Sequence, residues 1–150
     1  MINGTDSSET FYLLNQTDKK TPIVFIHGVG LTHEIWQPQL DYFKDNTTVS
    51  YDILGHGKTP LKKKNISFDD FSEQLINLLD ELNFDKIHLL GFSIGSLIAR
   101  NFATKYNDRL KSLMLLSSIF KRNEEQQKIV NDRFNLAKNN LKLSRQALKR

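Results

Sequence analysis

Cysteine is absent from this chain of 150 residues, which excludes a disulfide framework and a thiolate metal site. The four histidines lack the short ligand spacing of a zinc cluster, so no metal site is expected. Long apolar runs are also missing: residues 1–10 are polar and do not resemble a signal peptide, and no later stretch is long enough to cross a bilayer. We therefore expect a soluble cytoplasmic protein without membrane association.

An excess of one charge sign is found only near the end of the chain. Residues 1–120 hold 12 basic and 14 acidic side chains, whereas residues 121–150 hold 9 basic and 3 acidic ones. No nucleic-acid recognition motif accompanies this basic segment, so no nucleic-acid partner is expected. Apolar residues instead alternate with the charges at helical spacing, which predicts a solvated amphipathic helix with the stripe Val130, Phe134, Ala137 and Leu141.

Hydrophobic patterning predicts strands that alternate with helices. The strands are expected at residues 9–14, 22–26, 48–54, 86–90 and 113–117. Residues 23–26 and 113–116 are continuous apolar runs, which is typical of parallel strands covered on both faces. This alternation implies right-handed crossovers and a three-layer α/β protein with a mainly parallel sheet.

Three helices are expected between the strands. The first carries an apolar stripe of Trp36, Leu40 and Phe43, and Pro38 is tolerable there only in the first turn. Ser67 is a good N-cap for the second helix. The second and third helices each bury one face, formed by Phe71, Leu75, Leu78, Leu79 and Leu82 in the second and by Ile94, Leu97, Ile98 and Phe102 in the third.

The most informative segment is residues 91–95, where an apolar run enters a Gly-x-Ser-x-Gly turn and leaves as a helix. A strand that turns sharply into a helix strains the backbone at Ser93, and a Cβ at Gly91 or Gly95 would collide there. Such a turn lies at the carboxyl end of the sheet, where ligands bind, and presents the serine hydroxyl as a nucleophile. An ordinary strand-to-helix loop is the alternative interpretation.

A serine nucleophile needs a general base, and it needs hydrogen-bond donors for the oxyanion formed on attack. The amide of Ile94, at the start of a helix, is one natural donor. Val29 follows the neighbouring predicted strand and can supply the second amide. The sequence therefore predicts a backbone oxyanion hole around Ser93.

Together these segments resemble the α/β-hydrolase fold family from residue 22 to residue 118. Residues 26–30 are similar to its oxyanion loop, in which His27, Gly28 and Gly30 support the site. Residues 91–96 are similar to its nucleophile elbow, in which Gly91 and Gly95 support the site. Two further segments are similar to the first helix and to the turn after strand four, namely residues 36–40 and residues 51–59. The resemblance implies a serine hydrolase of carboxylic esters or lactones that needs no cofactor.

The chain departs from the family pattern at three points. Leu54 stands where the family often has arginine, and Ser96 where it often has a second small glycine. The serious departure concerns the triad, which the family completes with an acid and then a histidine, because no histidine follows His88. Some relatives place the acid after the sixth strand, where this chain has Ser117 and Ser118, and these carry no negative charge.

The histidines that are present are poor substitutes for the missing base. His88 precedes Ser93 on the same strand by a span of up to about 17 Å, whereas a hydrogen bond needs roughly 3 Å, so we expect a packing residue. His27 could approach Ser93 from the neighbouring strand, but the resemblance gives it a role in shaping the loop. His33 and His56 are expected to be structural or solvent-exposed.

We expect residues 1–120 to form the N-terminal part of a truncated α/β-hydrolase core and residues 121–150 to begin a helical cap. A sheet that ends at residues 113–117 would present an open edge and an uncovered apolar face. Three completions stay open: a second copy of the chain, a separately encoded C-terminal half, and the remainder of a longer protein. Two copies together would still lack the histidine.

Two classes of function follow from the sequence. The first is the N-terminal portion of a serine hydrolase in which Ser93 attacks an ester or lactone carbonyl; residues 121–134 loosely resemble the start of the cap in enol-lactonase-like members. The second is a catalytically inactive binding protein that keeps the front half of the fold. Haloperoxidase and carbon-carbon hydrolase chemistry also stay open, because the fold hosts many reactions.

Overall fold

The structure is a computed structural model that describes residues 1–17, 21–119 and 121–139. Six strands in these segments form one sheet: β1 (Ile2–Thr5), β2 (Phe11–Asn15), β3 (Ile23–Ile26), β4 (Thr48–Tyr51), β5 (Ile87–Phe92) and β6 (Leu110–Leu116). Their order across the sheet is β1-β2-β4-β3-β5-β6. The strands β4, β3, β5 and β6 run parallel, whereas β2 pairs antiparallel with both β1 and β4.

Three helices connect the parallel strands: α1 (Gln37–Tyr42), α2 (Phe68–Glu81) and α3 (Ile94–Lys105). Helix α1 continues a 3-10 turn at His33–Trp36, and Pro38 lies in its first turn, where the missing amide hydrogen costs nothing. Ser67 caps α2 through a reciprocal pair of hydrogen bonds with Asp70. The predicted first turn of α1 and the predicted cap of α2 are therefore both confirmed.

Successive residues of β3 point to opposite faces of the sheet and separate two apolar clusters. Phe25 packs with Trp36 and Leu40 on the face that carries α1. Val24 and Ile26 belong to the larger cluster on the other face, to which α2 and α3 contribute Phe71, Leu75, Leu78, Leu79, Ile98, Ala99 and Phe102. Burying each large side chain of this kind stabilises the fold by about 1.5–3 kcal/mol. Helices on both faces of a mainly parallel sheet confirm the predicted three-layer α/β architecture.

The structure corrects several predicted boundaries. The sequence pattern does not predict β1, because Asn3 and Gly4 weaken its strand signal. Glu9 has a φ of 66° and lies in the turn before β2 rather than in the strand. At the other edge, β6 begins at Leu110 rather than at residue 113. Leu97, expected on the buried face of α3, is only half-buried.

Residues 119–150 form a second compact unit, of which residues 119 and 121–139 are described. It contains α4 (Glu124–Asn139). Of the predicted apolar stripe, Val130 is half-buried, Phe134 is 66% exposed and Leu141 lies outside the described residues. The assignment of residues 121–150 to the start of a cap stays a prediction.

No helix in the described segments combines the length and the apolar character that crossing a membrane requires.

Candidate active site

Ser93 lies on the sharp turn between β5 and α3. Its backbone has a φ of 56° and a ψ of −118°, a conformation that a residue with a side chain rarely adopts. Its amide donates to the carbonyl of Leu116 at the end of β6, with a distance of 3.0 Å. Its carbonyl accepts hydrogen bonds from the amide of Ser96 at 3.0 Å and from the Ser96 hydroxyl at 2.6 Å. These contacts hold a partly exposed serine in a strained conformation.

Gly91 and Gly95 allow the backbone to pack closely around this turn. A Cβ on Gly91 would collide with the carbonyl oxygen of Gly95. A Cβ on Gly95 would lie 2.5 Å from the carbonyl oxygen of Ile26 and 2.7 Å from that of His27. All of these obstacles are backbone atoms, so a larger residue would have to displace either β3 or α3. The structure therefore has the close backbone contacts predicted from the sequence, which leave no room for a Cβ at Gly91 or Gly95.

The loop at residues 28–32 leaves the end of β3 beside the serine turn. Gly28 is buried, and a Cβ there would lie 3.1 Å from the ring of Phe92, the residue directly before Ser93. Val29 is 55% exposed and Gly30 has a φ of 72°, which favours glycine. Neither the amide of Val29 nor that of Ile94 has a hydrogen-bond partner among the described residues. Both donors are therefore available to a ligand.

His27 anchors the start of this loop. Its ring is fully buried, Nδ1 donates to the carbonyl of Gly28 at 2.8 Å, and Nε2 accepts from the amide of Ile53 at 3.1 Å. Burial lowers the pKa of the His27 ring below its usual value and favours the neutral form, which is the form that can accept at Nε2. Because backbone groups occupy both nitrogens, neither is free to take the proton of Ser93. The geometry favours the supporting role over that of a substitute base.

Asp52 anchors the far end of the same loop. Its carboxylate is fully buried after β4 and accepts hydrogen bonds from the amide of His33 at 2.7 Å and from the ring Nδ1 of His33 at 2.9 Å. Its second oxygen accepts from the amide of Lys58 at 2.9 Å. Gly57 is required nearby because a Cβ there would occupy the position of this carboxylate. Asp52 therefore joins the loop at residues 28–32 to the turn at residues 55–59.

Asp52 and Gln74 also support the site, although the sequence pattern assigns neither of them a role there. Gln74 is buried in α2, where its Nε2 donates to the carbonyl of Asp52 at 3.0 Å and its Oε1 accepts from the amide of Leu54 at 3.1 Å. The available signal is a polar residue within the apolar face of α2, between Phe71 and Leu78. Polar residues that interrupt a buried face usually have a hydrogen-bonding role.

The other histidines, which the sequence does not place in the site, have partners away from Ser93. His88 is half-buried and its Nδ1 contacts the hydroxyl of Ser112 at 2.7 Å across the β5–β6 pair. The Nδ1 of His56 lies 3.2 Å from the carbonyl of Leu54. No hydrogen bond joins a histidine to Ser93 within the described segments. Nor do three histidine, cysteine or acidic side chains gather there in an arrangement that could hold a metal ion.

Residues 21–146 match the model of the family described as alpha/beta hydrolase fold, and the chain belongs to this family. Among curated proteins it is similar to (E)-2-((N-methylformamido)methylene)succinate hydrolase of Acinetobacter baylyi, with 35% identity over 102 residues, 67% of this chain and 39% of that protein. It is also similar to 3-oxoadipate enol-lactonase 1 of the same organism, with 32% identity over 100 residues, 66% of this chain and 37% of that protein. The chain thus matches less than half the length of these relatives.

Solved structures also match this chain over only part of their length. The α/β hydrolase MGS-M2, from a deep-sea metagenome library of the Medee basin, matches with a TM-score of 0.82 and 22% identity, over 93% of this chain and 52% of that one. The enol-lactonase of Burkholderia xenovorans LB400 matches with a TM-score of 0.69 and 21% identity, over 75% of this chain and 45% of that one. The predicted fold is confirmed, and this chain corresponds to about half of each structure.

Proposed function

We propose that this chain carries the nucleophile and the oxyanion hole of a hydrolase that acts on carboxylic esters or lactones. The Oγ of Ser93 attacks the carbonyl carbon, and the amides of Val29 and Ile94 stabilise the negative charge on the carbonyl oxygen. A histidine supplied from outside residues 1–150 accepts the serine proton. The named hydrolase and enol-lactonase relatives support this reaction class for the chain.

The backbone of Ser93 carries the proposal. A residue in this conformation costs on the order of 1–3 kcal/mol, and such strain persists where the surrounding structure enforces it, often at functional sites. The enforcement comes from the tight backbone contacts at Gly91 and Gly95. Helix α3 begins directly after Ser93, so its positive end lies where negative charge would develop.

A fluorophosphonate probe followed by peptide mapping tests this function on the 150-residue chain. Phosphonylation passes through a charged transition state that the two free amides can stabilise, and one such donor is worth about 10²–10³-fold in rate. We expect the probe to label Ser93 at least about tenfold faster than Ser118, an exposed serine in the same molecule. Ser93→Ala should remove the fast labelling. Equal rates at Ser93 and Ser118 would refute the proposal.

Ester turnover by residues 1–150 alone should be very low. Removing the triad histidine of a serine hydrolase lowers kcat by about 10⁶-fold. We expect p-nitrophenyl acetate to be hydrolysed by this chain at a rate close to that of the Ser93→Ala variant. Rapid turnover would mean that one of the four histidines acts as the base, which contradicts the contacts described for His27.

A non-catalytic binding protein is the second candidate function. The observation that favours it is the missing triad histidine, since no histidine follows His88 in these 150 residues. In that case the hydroxyl of Ser93 would have ordinary reactivity. The comparison of labelling at Ser93 and Ser118 separates the two candidates, because only the hydrolase requires the difference.

A further inference from the structure

Ser96 is fully buried in the first turn of α3, and its hydroxyl bonds back to the serine turn. The Oγ of Ser96 donates to the carbonyl oxygen of Ser93 at 2.6 Å, and the amide of Ser96 donates to the same oxygen at 3.0 Å. The hydroxyl bond is shorter than the usual distance for an O–H donor. One residue therefore supplies two donors to the carbonyl of Ser93.

This carbonyl belongs to the peptide group that carries one of the two proposed oxyanion donors. The C=O of Ser93 and the N–H of Ile94 lie in one planar trans unit, in which they point in opposite directions. Bonds that fix the oxygen on one side therefore also fix the direction of the N–H on the other. The N–H itself has no hydrogen-bond partner among the described residues, so nothing described on its own side orients it.

The same bonds make the N–H of Ile94 a stronger donor. A peptide bond is a resonance system, so a donor at its oxygen withdraws electron density from its nitrogen. Hydrogen bonds that are linked in this way strengthen one another, and a low local dielectric increases the effect. Because the hydroxyl of Ser96 is buried, its bond to the Ser93 carbonyl is shielded from water.

A buried serine in a helix often bonds to a carbonyl three or four residues earlier for structural reasons alone. Thr104 in the same helix does so, since its Oγ1 donates to the carbonyl of Asn101 at 2.7 Å. The bond of Ser96 differs in its acceptor, which shares a peptide group with the unpartnered N–H of Ile94. A glycine, which the family often has at position 96, would keep the amide bond and lose the hydroxyl bond.

We propose that Ser96 is a positioning residue for the oxyanion hole. Its hydroxyl orients and polarises the peptide group between Ser93 and Ile94, so that the N–H of Ile94 binds the developing oxyanion more strongly. Ser96 itself does not contact the substrate. This role rests on the proposed function, because it serves the donor that the hydrolase needs.

Ser96→Ala tests this role through the phosphonylation of Ser93. The maximal rate constant for labelling by the fluorophosphonate should fall by about threefold to tenfold, a fraction of the 10²–10³-fold effect of about one whole donor. The probe concentration that gives half of this rate should change by less than about twofold, because the donor acts on charge that develops after binding. Ser96→Cys should behave in the same way, since a thiol occupies the site of the hydroxyl but donates only weakly.

Thr104→Val is the matched control, because it removes a hydrogen bond of the same kind from the same helix. It should label Ser93 at the parent rate. Circular dichroism and urea unfolding identify which of the Ser96 variants keep the fold, and the rates are compared among those. An equal loss of rate in the Ser96 variants and in Thr104→Val, or no loss in the Ser96 variants, would overturn the role of Ser96.

Hydrogen exchange at Ile94, followed by NMR without any probe, tests the polarisation separately. Hydroxide removes the proton of an unpartnered amide faster when the N–H is more acidic, so Ser96→Ala should slow this exchange at least about twofold. A turn that merely loosened would exchange faster, so the direction of the change separates the two effects. Unchanged or faster exchange would overturn the proposal.

The exchange measurement does not depend on a reactive Ser93. If exchange at Ile94 slows as expected but Ser93 labels no faster than Ser118, the proposed function is refuted and the action of Ser96 on the Ile94 amide stands. If Ser93 labels rapidly in the parent chain and the Ser96 variants change neither rate nor exchange, the proposed function stands and the role of Ser96 is refuted.

Discussion

Asp52 and His33 form a buried pair in which one carboxylate oxygen accepts both the backbone amide of His33, at 2.7 Å, and its ring Nδ1, at 2.9 Å. His27 makes a second buried link, from its ring to the amide of Ile53. The two links bracket the loop at residues 28–32 and tie both of its ends to the segment after β4. The loop that carries the Val29 amide is therefore held at both ends by buried side chains.

Asp52→Asn should destabilise the chain by about 2–4 kcal/mol. The asparagine retains one acceptor oxygen, so the amides of His33 and Lys58 can no longer both be satisfied by the same group. A buried donor left without a partner costs on the order of 1–3 kcal/mol. The measurement is the free energy of unfolding in urea. Asp45→Asn, at an exposed aspartate, is the matched control and should change it by less than about 0.5 kcal/mol.

Gly95→Ala should cost about 3 kcal/mol or more, because the added methyl meets the backbone oxygens of Ile26 and His27. Gly4→Ala is the control, since the nearest atoms to its Cβ belong to the end of the Tyr12 side chain and not to the backbone. We expect a cost below about 1 kcal/mol there. Thermal and urea unfolding of both variants test this difference. Equal costs would mean that α3 does not pack on the end of β3 as described.

The elbow can be predicted from the sequence because Gly91, Ser93 and Gly95 lie within five residues, and a Cβ at Gly91 would meet the carbonyl of Gly95. The need for glycine at position 95 also depends on the end of β3, because a Cβ there would meet the carbonyls of Ile26 and His27. The Asp52–His33 pair joins residues that are 19 positions apart, and no short spacing marks it. Strand β1 is missed for a related reason, since its signal comes from pairing with β2 rather than from its own composition. Predictions thus succeed where sterics act locally and fail where tertiary contacts decide.

His27 should make stability depend on pH. Burial lowers its pKa in the folded chain below the usual value of 6.5, whereas the unfolded chain regains that value. As the pH falls below about 6.5, the unfolded chain therefore binds more protons, and the free energy of unfolding decreases until the pH reaches the folded pKa. The contribution of one such group is up to about 1.4 kcal/mol per pH unit.

His27→Asn keeps a donor near the Gly28 carbonyl and removes this titration. The variant should be less stable than the parent chain at about pH 7.5, and the difference should narrow toward about pH 5. Urea unfolding across this range provides the measurement. A difference that stays constant would show that His27 does not change its protonation on unfolding.

Val29→Pro tests the oxyanion hole, because proline removes the amide hydrogen that the proposal requires. Proline also fixes φ at position 29 and restricts Gly28, so circular dichroism and urea unfolding must show that the variant keeps its fold. Fluorophosphonate labelling of Ser93 should slow by about 10²-fold. Val29→Ala keeps the amide and should label at the parent rate. Val29 is 55% exposed, so neither side chain leaves a cavity. If the two variants label equally, the amide of Val29 is not a donor to the oxyanion.

Ser93→Gly and Ser93→Ala should differ in stability although both abolish labelling at position 93. Glycine adopts a φ of 56° with a ψ of −118° without strain, whereas alanine keeps the steric conflict of the serine. Glycine also gives the unfolded chain more conformational freedom, which offsets part of this gain. We therefore expect the glycine variant to be more stable than the alanine variant by a net amount of about 1 kcal/mol. Urea unfolding of the two variants measures this difference.

The same pair of substitutions at Ser112 is the control, because this residue lies in β6. There the glycine variant should be less stable than the alanine variant by about 0.5–1 kcal/mol, since glycine weakens a strand. The order of the two variants should therefore be reversed between positions 93 and 112. If glycine were the less stable variant at both positions, the strain at Ser93 would not be a real property of the turn, and the main support for a nucleophilic role of Ser93 would be lost.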